Sequence, residues 1–277
     1  KVPYIYFWTA FRGKTSIKSF NGFKYFNAGG MIYANAFERC ENMTSIRLPE
    51  CTSILQRAFS GCKKLQSIQL PDSLTKIYNL AFENCILDTI TIPASTTSID
   101  SSAFSSCPLE TIVVEQGNTV YDSRNNCNAL IETATNTLIQ GSARTVIPNG
   151  IVAIDDNAFM GTLISSISFP RSVTRLGVAV FVACKNLQNV TIPSTIVTMG
   201  SSCFAYCEQL ESAAFEQGIT SIPELTFAGC LGLKSVSLPS TLSSIGSNAF
   251  SVCSELSTII CEATVAPVVD VSTFGDS

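Results

Sequence analysis

One phenylalanine recurs at a nearly fixed interval and constrains this sequence more than any other feature. The interval is 22 or 23 residues throughout, apart from a single gap of 55 residues. The recurring residues are Phe37, Phe59, Phe82, Phe104, Phe159, Phe181, Phe204, Phe227 and Phe250. A fixed period of roughly 20 to 50 residues is typical of solenoids and propellers. The chain therefore has to be interpreted as a series of stacked repeats.

Other residue types keep register with this phenylalanine. An aliphatic residue or Met lies five positions before it, Ala usually precedes it, and Cys lies three positions after it in eight of the nine copies, Thr162 being the exception. An alternation such as Val236–Leu238 follows and ends in Pro in six copies, so that the unit reads IxxxAFxxCxxLxxIxLP. The alternation indicates a short strand with one buried face, which Pro ends because it has no N–H to donate. The AFxxC segment suits a single helical turn.

A unit of this length cannot bury a core alone, so equivalent units have to stack. Parallel strands about 4.8 Å apart would then form a sheet along the stack, with the phenylalanines in a buried column. Parallel crossovers are nearly always right-handed. We therefore expect a β-rich solenoid of the α/β class: a right-handed stack of about ten coils with a parallel sheet and short helical or 3-10 turns.

The repeat resembles the BspA-like leucine-rich repeat, in which LPxxLxxIGxxAFxxCxxLxxI recurs. Residues 238–259, LPSTLSSIGSNAFSVCSELSTI, match it almost position by position, and the similarity covers roughly residues 31 to 262. The chain departs at Thr162 and at Glu115 and Glu216, which replace Pro inside two EQG triplets. The resemblance implies a leucine-rich-repeat fold. It also implies a secreted or cell-surface location, because members are often exported bacterial or protozoan proteins implicated in adhesion to host matrix proteins or other cells.

We expect a single solenoid domain over residues 1–277 with irregular ends. Residues 1–30 hold nine of the 25 aromatic residues and are expected to form a degenerate cap over the open core of the first coil. An exposed aromatic platform for a sugar ring is the alternative interpretation of this segment. Repeats fill residues 31–115 and 148–262, and residues 263–277 are expected to form the C-terminal cap.

The 55-residue gap marks a coil with a long insertion, residues 116–147. Within it, Ala129–Ile131 and Thr137–Ile139 flank a Thr-Asn pair, a pattern that indicates a β-hairpin. The hairpin either packs on its neighbours or projects as a binding element. Tyr121 and Arg124 are the candidate contacts on this insertion.

Charge and composition exclude several classes of function. The net charge is −4, the pI is about 5.0 and no basic run exceeds Lys63-Lys64, so no surface for nucleic acid is indicated. The longest apolar run, Val178–Cys184, is far shorter than the about 20 residues of a spanning helix, so we expect no membrane insertion. The chain contains no His, which removes Ser-His-Asp and Cys-His triads. We expect a monomer that is not an enzyme and binds no cofactor and no metal.

Twelve cysteines would suggest disulfides in a secreted protein. Eight of them occupy one column of the repeat, where each is expected to be a small buried hydrophobe. Pairing of neighbours would break the equivalence of the column, so we predict free thiols. No CxxC pair is present to begin a zinc site.

The outward positions of the predicted strands form two columns of mainly Ser and Thr. Hydroxyls stacked in register form either a solvated structural ladder or a broad ligand-binding face. The candidate contacts on this strand face are Arg47, Gln69, Thr91, Ser168, Thr191 and Ser237, with Arg47 the only formal charge in its column. We expect a protein or glycan ligand on the strand face or the insertion, because the opposite side consists of short turns with small, interchangeable residues.

Two other functions stay open on the sequence. Asp88 and Glu110 occupy equivalent positions in adjacent coils, so their carboxyl groups are expected about 5 to 6 Å apart, near the separation in retaining glycosidases. A carbohydrate-active β-solenoid enzyme is therefore one alternative, and it requires that the two residues line a groove. A structural spacer that holds another domain off a surface is the other alternative.

Overall fold

The computed structural model of this chain describes residues 11–21 and 30–275. The chain divides into two compact units, residues 1–134 (unit 1) and residues 135–277 (unit 2). Seven of the nine aromatic residues of the predicted N-terminal cap lie outside the described residues. They are Tyr4, Tyr6, Phe7, Trp8, Phe23, Tyr25 and Phe26.

Unit 1 is a parallel β-solenoid built from short strands. Its strands are β1 (Ser19–Phe20), β2 (Met31–Ile32), β3 (Ser45–Ile46), β4 (Ser53–Ile54), β5 (Lys76–Ile77), β6 (Thr89–Ile92), β7 (Ser98–Ile99), β8 (Thr111–Val114), β9 (Tyr121–Asp122) and β10 (Leu130–Glu132). Parallel ladders join β1 to β3, β6 to β8, and β2, β4, β5 and β7 in that order. Ile54 is aligned with Ile32 and Ile77, so equivalent residues of successive repeats pair. Strand β9 pairs antiparallel with β10 in the insertion.

Unit 2 repeats this architecture. Its strands are β11 (Thr137–Gln140), β12 (Ala153–Ile154), β13 (Arg175–Leu176), β14 (Asn189–Ile192), β15 (Thr198–Met199), β16 (Ser212–Phe215), β17 (Ser221–Ile222), β18 (Ser235–Leu238), β19 (Ser244–Ile245), β20 (Thr258–Cys261) and β21 (Val268–Val269). Parallel ladders join β14-β16-β18-β20, β11-β12-β13-β15 and β17-β19-β21. The predicted parallel-strand solenoid is therefore confirmed in each unit, and both predicted strands of the insertion form.

A complete coil contributes two strands, of which the sequence predicted only one. The predicted strand follows the cysteine, and a second strand of two residues precedes the phenylalanine, as β4 and β5 do. Two residues are too few to show an alternation of apolar and polar side chains, which is why this second strand was missed. The predicted strands at Ile68–Leu70 and Ile167–Phe169 are wrong, because both segments run without regular secondary structure.

The turn that carries each phenylalanine is held by two alternating kinds of backbone hydrogen bond. Phe37 N–H donates to the carbonyl of Ala58 in the next coil at 2.8 Å, and the following amide, Glu38, donates to Asn35 three residues back at 3.1 Å. The predicted helical turn is therefore wrong in detail. The spacing of the second bond is that of a 3-10 turn, but residues with positive φ interrupt it. In the described residues, a 3-10 helix is assigned only at Arg124–Asn126.

Positive φ recurs at two fixed positions of the turn. Two residues after phenylalanine it is found at Arg39, Gly61, Asn84, Ser106, Gly161, Ala183, Tyr206, Gly229 and Val252. Two residues before phenylalanine it is found at Asn35, Arg57, Leu80, Asn157, Ala179, Ser202, Leu225 and Asn248. Most of these side chains are neither Gly nor Asn, although left-handed backbone disfavours them. The inter-coil hydrogen bonds therefore fix the turn irrespective of residue type.

The phenylalanines form a stacked, fully buried column in each unit, as predicted. In unit 1 the rings from Phe37 to Phe104 stack with centroids 5.3 to 5.4 Å apart and nearly parallel planes. Phe11 stacks on Phe37 at 5.2 Å and so extends the column into the N-terminal segment. In unit 2 the centroids from Phe159 to Phe250 lie 4.8 to 5.5 Å apart.

The cysteine column is a ladder of thiol hydrogen bonds. Each of its thiols donates to the carbonyl of the phenylalanine one coil earlier, with Sγ to O distances of 3.0 to 3.2 Å. For Cys62 the acceptor is Phe37, whose carbonyl also accepts the amide of Cys40 in its own turn at 3.1 Å. Both lone pairs of that buried oxygen are thus used. This is a reason for Cys at this position that its interpretation as a small hydrophobe had missed.

No disulfide joins any of the twelve cysteines, all of which lie among the described residues. Burial raises the pKa of Cys107, Cys184 and Cys253 to about 12. These thiols are therefore protonated near neutral pH, as donation to a carbonyl requires.

The two glutamates that replace the strand-ending proline extend the ladder. Glu115 donates its amide to the carbonyl of Ile92 at 3.0 Å, a bond that Pro is unable to make. Its carboxylate Oε2 accepts the amide of Ala94 at 3.0 Å. Glu216 makes the same two kinds of contact in unit 2. The EQG triplets therefore substitute a glutamate cap for proline without disturbing the coil.

One proline interrupts the second strand column of unit 2. In the preceding coil Gly200 donates its amide to Leu176 at 3.0 Å, but Pro223 stands at the next equivalent position and has no N–H. Strands β15 and β17 are accordingly not paired with each other. A crevice of about 190 Å³ opens there, lined by Met199 and Ile219 among others.

The segment predicted to cap the C-terminus instead continues the coil pattern. Strand β21 pairs with β19, and Phe274 stacks on Phe250 at 5.4 Å. Ile259 is in register with Val236, yet it is 45% exposed whereas Val236 is 1% exposed. Residues 263–275 therefore add a further partial coil to the stack, in which Phe274 covers one face of Phe250.

Candidate functional site

The strand face of unit 1 brings two predicted contacts together. Arg47, Gln69 and Thr91 are all exposed, and the first two line one open depression of about 490 Å³. Glu50 and Asp72 lie at its rim. Arg47 has no ion-pair or side-chain hydrogen-bond partner among the described residues. The depression therefore presents a free guanidinium group beside an amide.

The backbone at this depression is also open. Residues 67–70 occupy the place of a strand between β3 and β6, yet their amides donate no hydrogen bond within the described part of the chain. Residues 67–70 lie between two coils and not at a sheet edge, with Ile68 half-buried and Leu70 buried, so these amides are not a template for an added strand. Of this segment, only Gln69 and Leu70 border the depression beside Arg47.

The three candidate contacts of unit 2 are less concentrated. Thr191 and Ser237 lie in one column, both in register with Ala214 between them. Thr191 is exposed, Ser237 is half-buried, and Ser168 is exposed on a segment without a strand. This face offers small hydroxyls and no charge.

Tyr121 is not a surface contact, and its interpretation as one is wrong. Its side chain is 5% exposed, and its hydroxyl accepts the backbone amide of Ile99 at 2.9 Å. Burial raises the pKa of Tyr121. The ring is therefore part of the core of unit 1, and its hydroxyl satisfies the backbone amide at the end of β7.

Arg124 is held within its own coil. Its Nε and one terminal nitrogen donate to the two carboxylate oxygens of Asp122, at 2.8 and 2.6 Å. This hydrogen-bonded pairing raises the pKa of Arg124. A guanidinium group already engaged by both forks of a carboxylate has little left for a ligand, so the strand face is the stronger candidate.

The carboxylate pair behind the enzyme alternative lies at the edge of the coils. Glu110 donates its amide to the carbonyl of Asp88 at 2.8 Å, which confirms that the two residues are in adjacent coils. The carboxylate of Asp88 accepts the side-chain amide of Gln66 at 3.1 Å. Asp88 is half-buried and Glu110 is exposed. Such contacts are typical of a solvated edge of polar side chains.

A second candidate, missed by the sequence reading, lies on the turn side of unit 1. An open groove of about 790 Å³, here called the turn groove, is lined by charged and polar side chains from successive turns. They include Arg39, Arg57, Lys63, Glu83 and Asn84. The expectation that the turns carry only small, interchangeable residues is therefore wrong for unit 1. The signal was present in the sequence as charged residues within two positions of Phe37, Phe59 and Phe82.

The turns of unit 2 lack these charges. Within two positions of the phenylalanines from Phe159 to Phe250, the sequence contains no charged residue. The exposed residues there include Tyr206, Leu225 and Val252. The same turn backbone thus carries a polar surface in unit 1 and a mainly apolar one in unit 2.

Among residues 11–21 and 30–275, no group of three or more Cys, Asp or Glu side chains is arranged to hold a metal ion. Across the same residues, no helix is long and apolar enough to cross a membrane.

Comparison with solved structures gives the same fold. A leucine-rich repeat protein from Eubacterium ventriosum superposes with a TM-score of 0.74 at 23% identity, over 91% of this chain and 81% of that one. A leucine rich cell surface protein from Faecalibacterium prausnitzii gives 0.70 at 30% identity, over 92% and 76%. A leucine-rich repeat protein from Bacteroides ovatus gives 0.55 at 26% identity, over 96% and 78%.

None of the curated proteins is similar enough to this chain to count as a match. The sequence does match the BspA type leucine rich repeat region, in six copies, over residues 30–139 and 152–277. The match covers most of the chain and includes the phenylalanine and cysteine columns described above. The chain therefore belongs to the BspA type leucine rich repeat family.

Proposed function

We propose that this chain is a non-catalytic recognition module that is secreted or displayed at a cell surface, where it adheres to a protein or glycan through the strand face of unit 1. The family supports a repeat scaffold, and the similar Faecalibacterium prausnitzii protein is described as a cell surface protein. The observation that carries the proposal is the depression beside Arg47. There, the free guanidinium group of Arg47 and the exposed side chain of Gln69 face solvent together.

The chemistry of this depression favours a polar and modest interface. Gln69 provides both donors and acceptors, and Arg47 provides one exposed positive charge. Because the charge is single and exposed, we expect binding to weaken only slightly as salt rises. Affinity is expected to depend on how many hydrogen bonds the ligand makes with the Arg47 guanidinium group and the Gln69 side-chain amide.

The test is a binding screen of the purified chain against immobilised matrix proteins and a glycan array. The ligand found is then measured against Arg47→Ala, with Lys76→Ala as the matched control. Lys76 is another exposed cation of unit 1, but it lies on β5 in the other strand column. We expect Arg47→Ala to weaken binding at least about tenfold and Lys76→Ala to leave it unchanged. A ligand whose affinity neither change alters would show that the strand face around Arg47 is not the site.

A further inference from the structure

The turn groove of unit 1 owes its shape to one glycine. Arg39, Gly61 and Asn84 are the residues two positions after phenylalanine in three successive coils. Gly61 places no side chain between its two neighbours, and a Cβ added there would lie 3.4 Å from Cγ of Arg39. Its φ of +74° is the left-handed conformation that glycine adopts without strain. The groove therefore runs between Arg39 and Asn84 over a bare backbone.

Some of the charges around the groove are already satisfied. Lys63 pairs with Glu41 at 2.9 Å. Glu83 accepts the hydroxyl of Ser60 at 2.9 Å, which leaves acceptor capacity on its carboxylate. By contrast, Arg39 and Arg57 have neither a carboxylate partner nor a side-chain hydrogen bond among the described residues. Two exposed guanidinium groups therefore face one groove without counter-ions.

These groups define the chemistry of a ligand. A guanidinium group recognises a carboxylate through two parallel hydrogen bonds. Glu83 beside it needs a donor, and a second carboxylate placed there would be repelled. A run of acidic side chains in a peptide meets the first requirement and violates the second. A sugar acid meets both, because it carries one carboxylate per ring together with several hydroxyl donors.

We propose that the turn groove binds a uronic acid unit of an acidic oligosaccharide, with its carboxylate on Arg39 and Arg57 and its hydroxyls on Glu83 and Asn84. This site goes beyond the recognition proposed for the strand face, because it lies on the turns and has its own ligand class. Either site can fail in experiment while the other stands.

The test is isothermal titration calorimetry of the full chain with tetragalacturonate. Its methyl ester, which is neutral, and a tetraglutamate peptide serve as comparison ligands. The variants are Arg39→Gln, Arg57→Gln and Gly61→Asn, which fills the groove with a residue that Asn84 shows to be compatible with this backbone. The matched controls are Gly161→Asn, at the same position of a turn in unit 2, and Lys76→Gln, an exposed cation on β5 of unit 1. Thermal unfolding of each variant confirms that it is folded.

We expect each groove variant to weaken tetragalacturonate binding at least about tenfold, because a charge-assisted contact or its space is lost. The controls should leave binding unchanged, and the methyl ester should bind at least about tenfold more weakly than the acid. The proposal would be overturned if the ester bound as tightly as the acid, or if the three groove variants kept the affinity of the wild type. Binding of tetraglutamate but not of tetragalacturonate would also overturn it.

Discussion

The turns of unit 1 and the turns of unit 2 share a backbone and differ in chemistry. Two residues after phenylalanine, φ is 58° at Arg39 in unit 1 and 56° at Val252 in unit 2. In unit 1 this position carries the guanidinium group of Arg39 and the amide of Asn84, whereas unit 2 fills it with Gly, Ala, Tyr or Val. The comparison shows that the inter-coil hydrogen bonds and the phenylalanine column fix the backbone. The flanking side chains are then free to carry a site or to carry none.

The largest effect is expected from the phenylalanine column, and it should be equal in both units. Phe59→Ala and Phe204→Ala each remove a fully buried ring that stacks on two neighbours. We expect each to lower the free energy of unfolding by about 3 to 5 kcal/mol, because the cavity cannot collapse between stacked coils. Urea denaturation measures this, with the partly exposed Phe274→Ala as a control of smaller effect. If the substitution lowers stability in only one unit, the two phenylalanine columns do not contribute equally to the fold.

The next effect concerns the thiol ladder. Cys85→Ala in unit 1 and Cys230→Ala in unit 2 each remove the donor to a buried phenylalanine carbonyl, at 3.2 and 3.1 Å. We expect each to lower the free energy of unfolding by about 1 to 3 kcal/mol, because the carbonyl keeps only one of its two bonds. Cys261 is exposed, and Cys261→Ala is the control that should change nothing. If all three variants unfold alike, the thiol hydrogen bonds contribute nothing to stability.

At the positions with positive φ, replacing a side chain by Gly should raise stability, and replacing Gly by Val should lower it. Val252→Gly is expected to raise the free energy of unfolding by about 1 kcal/mol, because a β-branched residue is strained at positive φ. Gly161→Val in the same unit should lower it by a similar amount. In unit 1, Arg39→Gly should stabilise the fold while it removes a charge from the turn groove. Calorimetric melting of the three variants shows whether each one gains or loses stability. A Val252→Gly variant that is less stable than the wild type would show that Val252 is not strained.

The smallest effect is a pH dependence specific to unit 2. The guanidinium group of Arg171 and then the amide of Ser194 hold the pKa of Glu216 at about 2, below its ordinary 4.5. A depressed pKa stabilises the folded state above pH 4.5, and this contribution is lost as the pH falls toward about 2. We expect the loss of stability between these values to be shallower in Glu216→Gln. Denaturation midpoints of both proteins between pH 2 and 4.5 test this prediction. Identical slopes of midpoint against pH would show that Glu216 does not contribute to the loss of stability in acid.

Much of the fold could be predicted from the sequence because the repeat fixes it. A column of identical residues at a constant interval requires equivalent environments, so the phenylalanines and cysteines stack whatever lies between them. The strand after the cysteine could be predicted because its apolar and polar residues alternate. Every such strand that pairs in a ladder was predicted. Ile68 and Ile167 show the same alternation without a ladder, because alternation reports which side chains are buried and not which amides are paired.

The candidate sites were harder to predict, for physical reasons that differ. Arg47 and Gln69 were recognised because they are polar residues in a regular outward column. Tyr121 was misplaced because nothing in the sequence reveals that its hydroxyl satisfies the amide of Ile99. The turn groove was missed because the sequence predicted a helical turn, in which Arg39 and Asn84 would not line up on either side of Gly61. Only the positive φ at both residues aligns them across Gly61.

Hydrogen exchange of the full chain, with and without tetragalacturonate, tests most directly whether the side chains of the turns, rather than the shared backbone, decide where the molecule binds. We predict slower exchange in the unit 1 turn peptides that cover residues 38–41, 57–63 and 83–86. Exchange in the turn peptides of unit 2 should be unchanged. Protection in the unit 2 turns, or only in residues 45–48 and 67–70 of the strand face, would contradict the account.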